Sequence, residues 1–304
     1  MTRMIDLIYP YSYITIWLGV LLGIGFTAAC AGLFSAALII ICISLGMIRI
    51  MPLFTFINRI FRASMPTEIS RIEHNINESF KMIGNIEALQ EEGHYIFMWH
   101  PHGVFPTSFY FHTASPFTDS PIPIKLSKTV AFSNLQWFPF TTEIFHETNI
   151  IPSDYHEMKN TLKEGSISLS PGGMREMIYE DTALLLRRRG IFKMALETGT
   201  PLVPIISKEE AQLFKAIDIP EWIQDTLKPY DLCIPIPTWK TVSRFLGILH
   251  NPLKDPVYSV IGEPIPVEKN ENPSEEDISK LREKYIEILK VMYKKEIGRD
   301  LKIL

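Results

Sequence analysis

Residues 95–103 read Tyr-Ile-Phe-Met-Trp-His-Pro-His-Gly. The first five side chains are aromatic, apolar or β-branched, which is typical of a short buried strand. His100 and His102 then follow where that strand ends. In an open α/β sheet, the residues just beyond the carboxyl end of a strand face the crevice in which ligands bind. Because the ordinary pKa of histidine lies near neutrality, this position suits a general base. The stretch therefore predicts a strand with a functional site at its end.

Short β-branched runs and stretches of helical spacing alternate along the rest of the chain. This alternation predicts an α/β fold, with a mainly parallel sheet that is flanked by helices. The further predicted strands are Ser166–Leu169, Leu202–Ile206 and Tyr258–Ile261, and helices are predicted over 71–91, 155–163, 190–197 and from 275 onward.

The last of these helices carries the clearest signals. Residues 274–277 read Ser-Glu-Glu-Asp, which resembles a capping box at a helix start. An apolar stripe at helical spacing follows and predicts the buried face of the helix. Its members are Ile278, Leu281, Tyr285, Ile288 and Met292.

The amino-terminal part of the chain has the composition of a membrane segment. No charged residue occurs between Asp6 and Arg49, and this run is about twice the roughly 20 residues that one helical span needs. It fits either one tilted span or a hairpin of two shorter helices. Basic residues at both flanks, Arg3 and Arg49 among them, favour a hairpin with both ends in the cytoplasm. We therefore predict a membrane segment over 1–62 and a catalytic domain over 63–304.

Composition excludes other classes of function. The net charge of −4 argues against nucleic-acid binding, because that function needs a concentrated positive face. The three cysteines give no disulfide framework. A His-x-His strand end also occurs in zinc hydrolases, but the remaining histidines lack ligand spacing, so no metal is expected.

A second motif follows the predicted strand at Ser166–Leu169 and reads Ser-Pro-Gly-Gly-Met-Arg-Glu over residues 170–176. Backbone N–H groups at Gly172 and Gly173 can approach an anion or a developing oxyanion. Glu176 is suited to orient a histidine and to stabilise its protonated form, as the acid of a catalytic triad does. Arg175 is suited to pair with a phosphate.

A basic cluster lies at the start of the helix predicted over 190–197. Four cations beside a helix start form a candidate site for the phosphates of coenzyme A. They equally suit anionic lipid headgroups or a solvated surface, and composition does not decide between these readings. The four residues are Arg187, Arg188, Arg189 and Lys193.

In this combination the chain resembles the diacylglycerol acyltransferase type 2 family, which includes monoacylglycerol and wax-alcohol acyltransferases. The resemblance spans roughly 93–294. The matching residues are His-Pro-His-Gly at 100–103, Gly-Gly-x-x-Glu at 172–176, Arg-Gly-Ile-Phe-x-x-Ala at 189–195, Gly199 followed by Leu-Val-Pro at 202–204, and Gly-Glu-Pro-Ile-Pro-Val at 262–267. The chain departs from the family at 207–209, where Ser-Lys-Glu stands in place of Phe-Gly-Glu.

The resemblance implies an acyl-CoA-dependent O-acyltransferase with a glycerolipid acyltransferase-like fold and an amino-terminal transmembrane hairpin. Its reaction would esterify a lipid hydroxyl, converting diacylglycerol to triacylglycerol or monoacylglycerol to diacylglycerol, with acyl-CoA as co-substrate and no cofactor. The expected location is the endoplasmic reticulum membrane, with the catalytic domain facing the cytoplasm, and also the lipid droplet. A wax-alcohol acyltransferase that takes a fatty alcohol, a lipid hydrolase and a non-catalytic lipid-droplet protein are the alternatives.

The resemblance also implies roles for single residues. His100 or His102 would be the general base, and the family motif does not say which. Glu176 would be the acid beside it. Gly103, Gly172 and Gly173 would supply backbone groups around the reacting carbonyl.

Overall fold

The computed structural model describes residues 77–101, 106–113, 120–131, 149–173, 176, 179, 181–208, 210, 216–217, 236–237 and 256–304. The membrane segment predicted over 1–62 lies outside these residues and stays a prediction. Within the described residues, no helix has both the length and the apolar character that crossing a bilayer requires.

The described residues form eleven strands, five α-helices and one short 3₁₀ helix. The strands are β1 (Phe80–Gly84), β2 (Ile96–His100), β3 (Lys128–Ala131), β4 (Ile150–Pro152), β5 (Ile167–Leu169), β6 (Thr182–Ala183), β7 (Leu202–Lys208), β8 (Ala216–Ile217), β9 (Ile236–Pro237), β10 (Val257–Ile261) and β11 (Lys302–Ile303). The α-helices are α1 (Thr107–Thr113), α2 (Ile122–Lys125), α3 (Tyr155–Thr161), α4 (Arg189–Thr198) and α5 (Glu275–Ile297), and the 3₁₀ helix is Ile86–Ala88.

Seven strands form one sheet in the order β1-β10-β7-β2-β5-β3-β4. The five strands from β7 to β4 are parallel to one another. Strand β10 runs antiparallel to β7, and β1 runs parallel to β10. The prediction of an α/β fold with a mainly parallel sheet is thereby confirmed, and so are the strands predicted around residues 95, 166, 202 and 258.

Strand β2 lies at the centre of this sheet, between β7 and β5. Its pairing with β7 runs from Ile96 opposite Leu202 to His100 opposite Ile206. All five residues of β2 are buried, because neighbours cover both of its edges and both of its faces. Alternate side chains of a strand point to opposite faces, and Met98 accordingly packs in a different apolar cluster from Trp99.

Helices α4 and α5 pack against each other over one face of the sheet. The capping box predicted for α5 is present, since the Ser274 hydroxyl accepts from the Asp277 N–H and the Asp277 carboxylate accepts from the Ser274 N–H. The buried stripe agrees with the prediction from Ile278 to Tyr285. After Tyr285 the buried residues lie four positions apart, so the stripe continues along different residues from those predicted. Leu289 and Tyr293 are buried, whereas Ile288 and Met292 are only partly covered.

The helix predicted over 71–91 is wrong where it covers β1. The apolar residues of this segment, such as Ile76, Phe80 and Ile83, do have helical spacing, but Phe80–Gly84 pairs in parallel with β10. Phe80 is buried with its ring 4.6 Å from that of Phe111. Pairing with a neighbouring strand and packing of a single aromatic ring outweigh local spacing at this sheet edge, because propensity is a weak constraint compared with tertiary contacts.

Gly84 ends β1 in a conformation that only glycine adopts easily, with φ at 102°. A Cβ at this position would lie 2.4 Å from the carbonyl oxygen of Ile261 on β10. The added Cβ is attached to the backbone and the Ile261 oxygen belongs to it, so this contact can be relieved only by a shift of the backbone. We expect Gly84→Ala to lower the free energy of unfolding by about 2 kcal/mol or more, measured by chemical denaturation of the purified protein.

Two other glycines provide the controls for this substitution. Gly165 has open space around it and no positive φ, and Gly298 has open space but a φ of 79°. Gly165→Ala should leave stability unchanged, and Gly298→Ala should show only the strain of its backbone, about 1 kcal/mol. A Gly84→Ala variant no less stable than Gly298→Ala would contradict the close approach of β1 to β10.

Candidate functional site

The site lies where β2 ends, beside the ends of its parallel neighbours. His100 is the last residue of β2, and its side chain is fully buried. Because β5 runs parallel to β2, the turn that follows β5 reaches the same edge of the sheet. Ser170 begins this turn, and its hydroxyl donates to the carbonyl oxygen of Trp99 at 3.3 Å. The turn and the histidine are therefore brought together by the register of the sheet.

The turn after β5 needs glycine at two successive positions. Gly173 has a φ of 59° and its N–H donates to the Ser170 carbonyl oxygen at 3.2 Å. A Cβ on Gly172 would lie 2.1 Å from Oε2 of Glu176. Gly172 thus leaves room for the carboxyl group of Glu176 to fold back against the turn.

Glu176 is fully buried within this arrangement. The Ser170 hydroxyl donates to its Oε2 across 3.4 Å. Burial raises the pKa of Glu176 to about 8, although a hydrogen bond from the Leu184 backbone, the Ser170 hydroxyl and the charge of Arg188 all act in the opposite direction. The carboxyl group therefore carries a proton over much of the neutral range.

Tyr285 of α5 is the third buried polar group of the site. Its hydroxyl oxygen lies 3.0 Å from Nε2 of His100, and both side chains are fully buried. Burial, reinforced by the charge of Glu176, holds the pKa of Tyr285 well above its usual range. The structure thus pairs His100 with Tyr285, and the charge of Glu176 acts on Tyr285. The sequence identified Tyr285 only as a member of the apolar stripe.

The four predicted cations at the start of α4 do not share one environment. Arg188 is half-buried, and its Nη2 donates to the carbonyl oxygen of Gly172 at 3.1 Å. Its charge also lowers the pKa of Glu176, so Arg188 belongs to the turn.

The other three cations are exposed on the surface. Arg189 pairs with Glu275 at the start of α5. Lys193 lies 3.6 Å from Glu197 one turn further along α4. Arg187 is exposed beside them. Their role as a phosphate-binding group stays a prediction.

Three predicted site residues, His102, Gly103 and Arg175, lie outside the described residues. Among the residues that the structure describes, no three histidine, cysteine, aspartate or glutamate side chains cluster in a way that could hold a metal ion.

A second buried carboxyl group lies beyond the end of β7. Oε1 of Glu210 accepts from the N–H of Ser108 at 2.9 Å, and Oε2 accepts from the Ser108 hydroxyl at 2.5 Å. The Ser207 hydroxyl lies 2.8 Å from that of Ser108. Burial raises the pKa of Glu210 to about 7, against the lowering effect of these hydrogen bonds. Sequence reasoning missed this cluster, which joins the end of β7 to the first turn of α1.

Comparison with known proteins adds a family match. Residues 40–299 match the family model described as diacylglycerol acyltransferase. The chain is 28% identical over 229 residues to 2-acylglycerol O-acyltransferase 1 of Mus musculus, covering 69% of this chain and 67% of that protein. It is 27% identical over 218 residues to acyl-CoA wax alcohol acyltransferase 2 of Homo sapiens, covering 66% and 64%, and 27% identical over 218 residues to diacylglycerol O-acyltransferase 2 of Dictyostelium discoideum, covering 66% and 65%.

A solved structure is also similar. The crystal structure of the 1-acyl-sn-glycerophosphate acyltransferase PlsC from Thermotoga maritima aligns with a TM-score of 0.44 and 16% sequence identity, covering 86% of this chain and 98% of that one.

The raised pKa of Glu210 predicts how stability changes with pH. Below the ordinary pKa of about 4.5 the carboxyl group is neutral in both states and adds no penalty. As pH rises from there to about 7, the unfolded chain releases this proton and the folded chain keeps it, so the free energy of unfolding falls. We expect this group to remove about 3 kcal/mol over that interval. In Glu210→Gln this fall in the free energy of unfolding should be absent, as measured by unfolding curves from pH 4.5 to 7.5.

Glu197 gives a control of the opposite sign. Its pKa is lowered, in spite of some burial, by Lys159, Tyr155 and Lys193, so its carboxylate stabilises the fold above pH 4.5 and this effect is lost as pH falls. Glu197→Gln should therefore destabilise the protein at neutral pH, where Glu210→Gln does not. The same pH slope in wild type and Glu210→Gln would refute the assigned pKa of Glu210.

Proposed function

The chain belongs to the diacylglycerol acyltransferase family and is an acyltransferase, and from this premise we propose that it transfers a fatty acyl group from acyl-CoA to the hydroxyl of an acylglycerol. The proposed reactions are diacylglycerol to triacylglycerol and monoacylglycerol to diacylglycerol. The observation that carries the proposal is the pairing of buried His100 with Tyr285 at the end of β2, beside the turn that begins at Ser170, within a chain that matches this family over residues 40–299.

In the proposed reaction a histidine of the 100–103 motif removes the proton from the acceptor hydroxyl. The resulting alkoxide attacks the thioester carbonyl, and a new C–O bond forms as a tetrahedral intermediate. Collapse of the intermediate breaks the C–S bond, and the histidine returns its proton to the leaving coenzyme A thiolate. His100 and His102 are both candidates for this base, and the acyl group passes directly from donor to acceptor.

Backbone donors would stabilise the oxyanion of the intermediate. Gly172 suits this role better than Gly173, because the N–H of Gly173 already donates to the Ser170 carbonyl oxygen. Gly103 is a further candidate.

Glu176 would act in its ionised form, as the acid that stabilises the protonated histidine. With a pKa of about 8, the buried carboxyl group must lose its proton before it can do so. Arg188 supports this step, because its positive charge lowers the pKa of Glu176. We therefore propose that Arg188, which donates to the carbonyl oxygen of Gly172, adjusts the pKa of Glu176.

The exposed cations Arg187, Arg189 and Lys193, together with Arg175, are proposed to bind the phosphates of acyl-CoA. Arg187, Arg189 and Lys193 lie at or near the start of α4, and helix amino termini favour anions. Anionic headgroups of membrane lipids present the same phosphate chemistry to such side chains.

The uncharged run before Arg49 supports a membrane location for the whole chain. We place it in the endoplasmic reticulum membrane with the catalytic domain in the cytoplasm, and on lipid droplets, in line with the resemblance described above. Similarity to a wax alcohol acyltransferase favours fatty alcohols as a second class of acceptor.

Membranes that contain the protein provide the direct test, supplied with labelled acyl-CoA and a panel of alcohols. We expect labelled triacylglycerol or diacylglycerol. His100→Ala and His102→Ala should both lower the rate, and the one that removes the base should do so by about 10²–10⁴-fold. His156→Ala, which removes an exposed histidine of α3, serves as the matched control. Labelled wax ester alone would identify the fatty-alcohol activity, free fatty acid alone would indicate a hydrolase, and no product would overturn the proposal.

The pKa of Glu176 predicts the pH dependence of the reaction. At saturating substrates, kcat should rise with pH to an inflection near 8 as Glu176 ionises. Arg188→Gln removes a nearby positive charge, so the inflection should move to higher pH. Arg188→Lys keeps the charge and should leave it nearly in place.

Arg187→Gln is the second control, because it removes an exposed charge one residue away. Its inflection should match that of the wild type. A kcat that stays level or falls from pH 7 to 9 would remove the ionised Glu176 from the mechanism.

A further inference from the structure

Tyr285 combines two properties that an ordinary core residue does not need. It lies in the buried stripe of α5 among apolar neighbours such as Leu281 and Leu289. It also carries a hydroxyl group, which costs free energy to bury unless it is hydrogen-bonded. A phenylalanine or leucine would fill the stripe without this cost. The partner of the hydroxyl is Nε2 of His100, at 3.0 Å.

The ring of Tyr285 is itself held in place. Phe192 of α4 packs against it edge-on, with ring centroids 5.7 Å apart and an angle of 64° between the planes. The ring of His100 lies on another side, 5.9 Å away between centroids. All three side chains are fully buried. The hydroxyl is therefore presented to His100 by a side chain whose own orientation is fixed by packing.

We propose that Tyr285 is a positioning residue for the acyl-transfer reaction, which orients the imidazole of His100 through a hydrogen bond to Nε2. This inference rests on the proposed function. Tyr285 acts through His100 and takes no part in bond making or bond breaking.

A phenol suits this role because its oxygen accepts a hydrogen bond. With Nε2 held by Tyr285, His100 can act as a base only through Nδ1, so Nε2 carries the ring proton and donates to the phenol oxygen both before and after Nδ1 gains a proton. The same contact thus persists while the imidazole gains and loses a proton. Because burial and the charge of Glu176 hold the pKa of Tyr285 well above its usual range, the phenol keeps its own proton throughout.

Tyr293 offers a matched control on the same helix. It too is buried, and its hydroxyl donates to Oδ1 of Asp181 at 2.6 Å, which joins α5 to the residue before β6. Tyr285→Phe and Tyr293→Phe therefore remove the same atom from the same helix, and each removes the hydrogen-bonded hydroxyl of a buried tyrosine. They differ in that the hydroxyl of Tyr285 meets His100, whereas that of Tyr293 meets Asp181.

The first arm of the test measures kinetics in membranes. Tyr285→Phe should lower kcat on the order of tenfold, as the loss of one hydrogen bond in the site implies, with KM for acyl-CoA and acceptor unchanged. Tyr293→Phe should retain the wild-type kcat. In the background of His100→Ala, Tyr285→Phe should cause no further loss, because its effect passes through His100. Equal kcat values in the two tyrosine variants, or a full additional loss in the double variant, would overturn the inference and leave the proposed function intact.

The second arm does not depend on activity. Selective ¹⁵N labelling of histidine, with the His100 signals assigned by their loss in His100→Ala, reports the tautomer of that ring. Wild-type His100 should show one neutral tautomer, and Tyr285→Phe should change its nitrogen shifts where Tyr293→Phe does not. Signals averaged between two tautomers in the wild type would overturn the inference even if Tyr285→Phe fails to fold. Wild-type protein that forms no ester would instead overturn the proposed function, and this arm would still decide whether Tyr285 orients His100.

Discussion

Strand β2 hydrogen-bonds in parallel to β7 on one side and to β5 on the other. Parallel strands end at the same edge of a sheet, so the residues that follow them become neighbours even when they are distant in the chain. His100 ends β2, the glycine turn and Glu176 follow β5, and Glu210 follows β7. Helix α5, which packs over one face of the sheet, contributes Tyr285 to this edge from a segment that is distant in sequence from the parallel strands. The site is thus a product of sheet register and of one helix laid across it.

Two buried carboxyl groups flank the end of β2, and both have raised pKa values. Their environments differ in a way that separates their roles. Glu210 accepts well-formed hydrogen bonds from Ser108, which fasten α1 to β7 and satisfy the carboxyl oxygens. Glu176 has a longer contact with Ser170 and lies within the influence of Arg188 and Tyr285. The first arrangement holds two elements together, and the second leaves a titratable group whose charge acts on Tyr285, the partner of His100.

Sequence reasoning succeeded where one local signal dominated. The apolar run of β2 and the capping box of α5 identify their elements directly, and the position of His100 follows from the strand before it. It failed at β1, because the residues around Phe80 have helical spacing and their pairing with β10 joins positions about 180 residues apart in the chain. The role of Tyr285 was hidden for a related reason. Helical periodicity predicts that this side chain is buried, but no local pattern predicts which polar atom it meets.

The contact between His100 and Tyr285 joins residues 185 positions apart. A ribosome that adds roughly 5 to 20 residues per second needs about 10 to 40 seconds to cover this distance. During that time the imidazole of His100 has no contact with Tyr285. Strand β2 likewise has no pairing with β7 until β7 has been made. The nascent chain therefore completes this end of β2 only after α5 has been made, later than the parallel strands that surround it. Until α5 has left the ribosome and docked, Nε2 of His100 lacks the hydroxyl group that it meets in the folded protein.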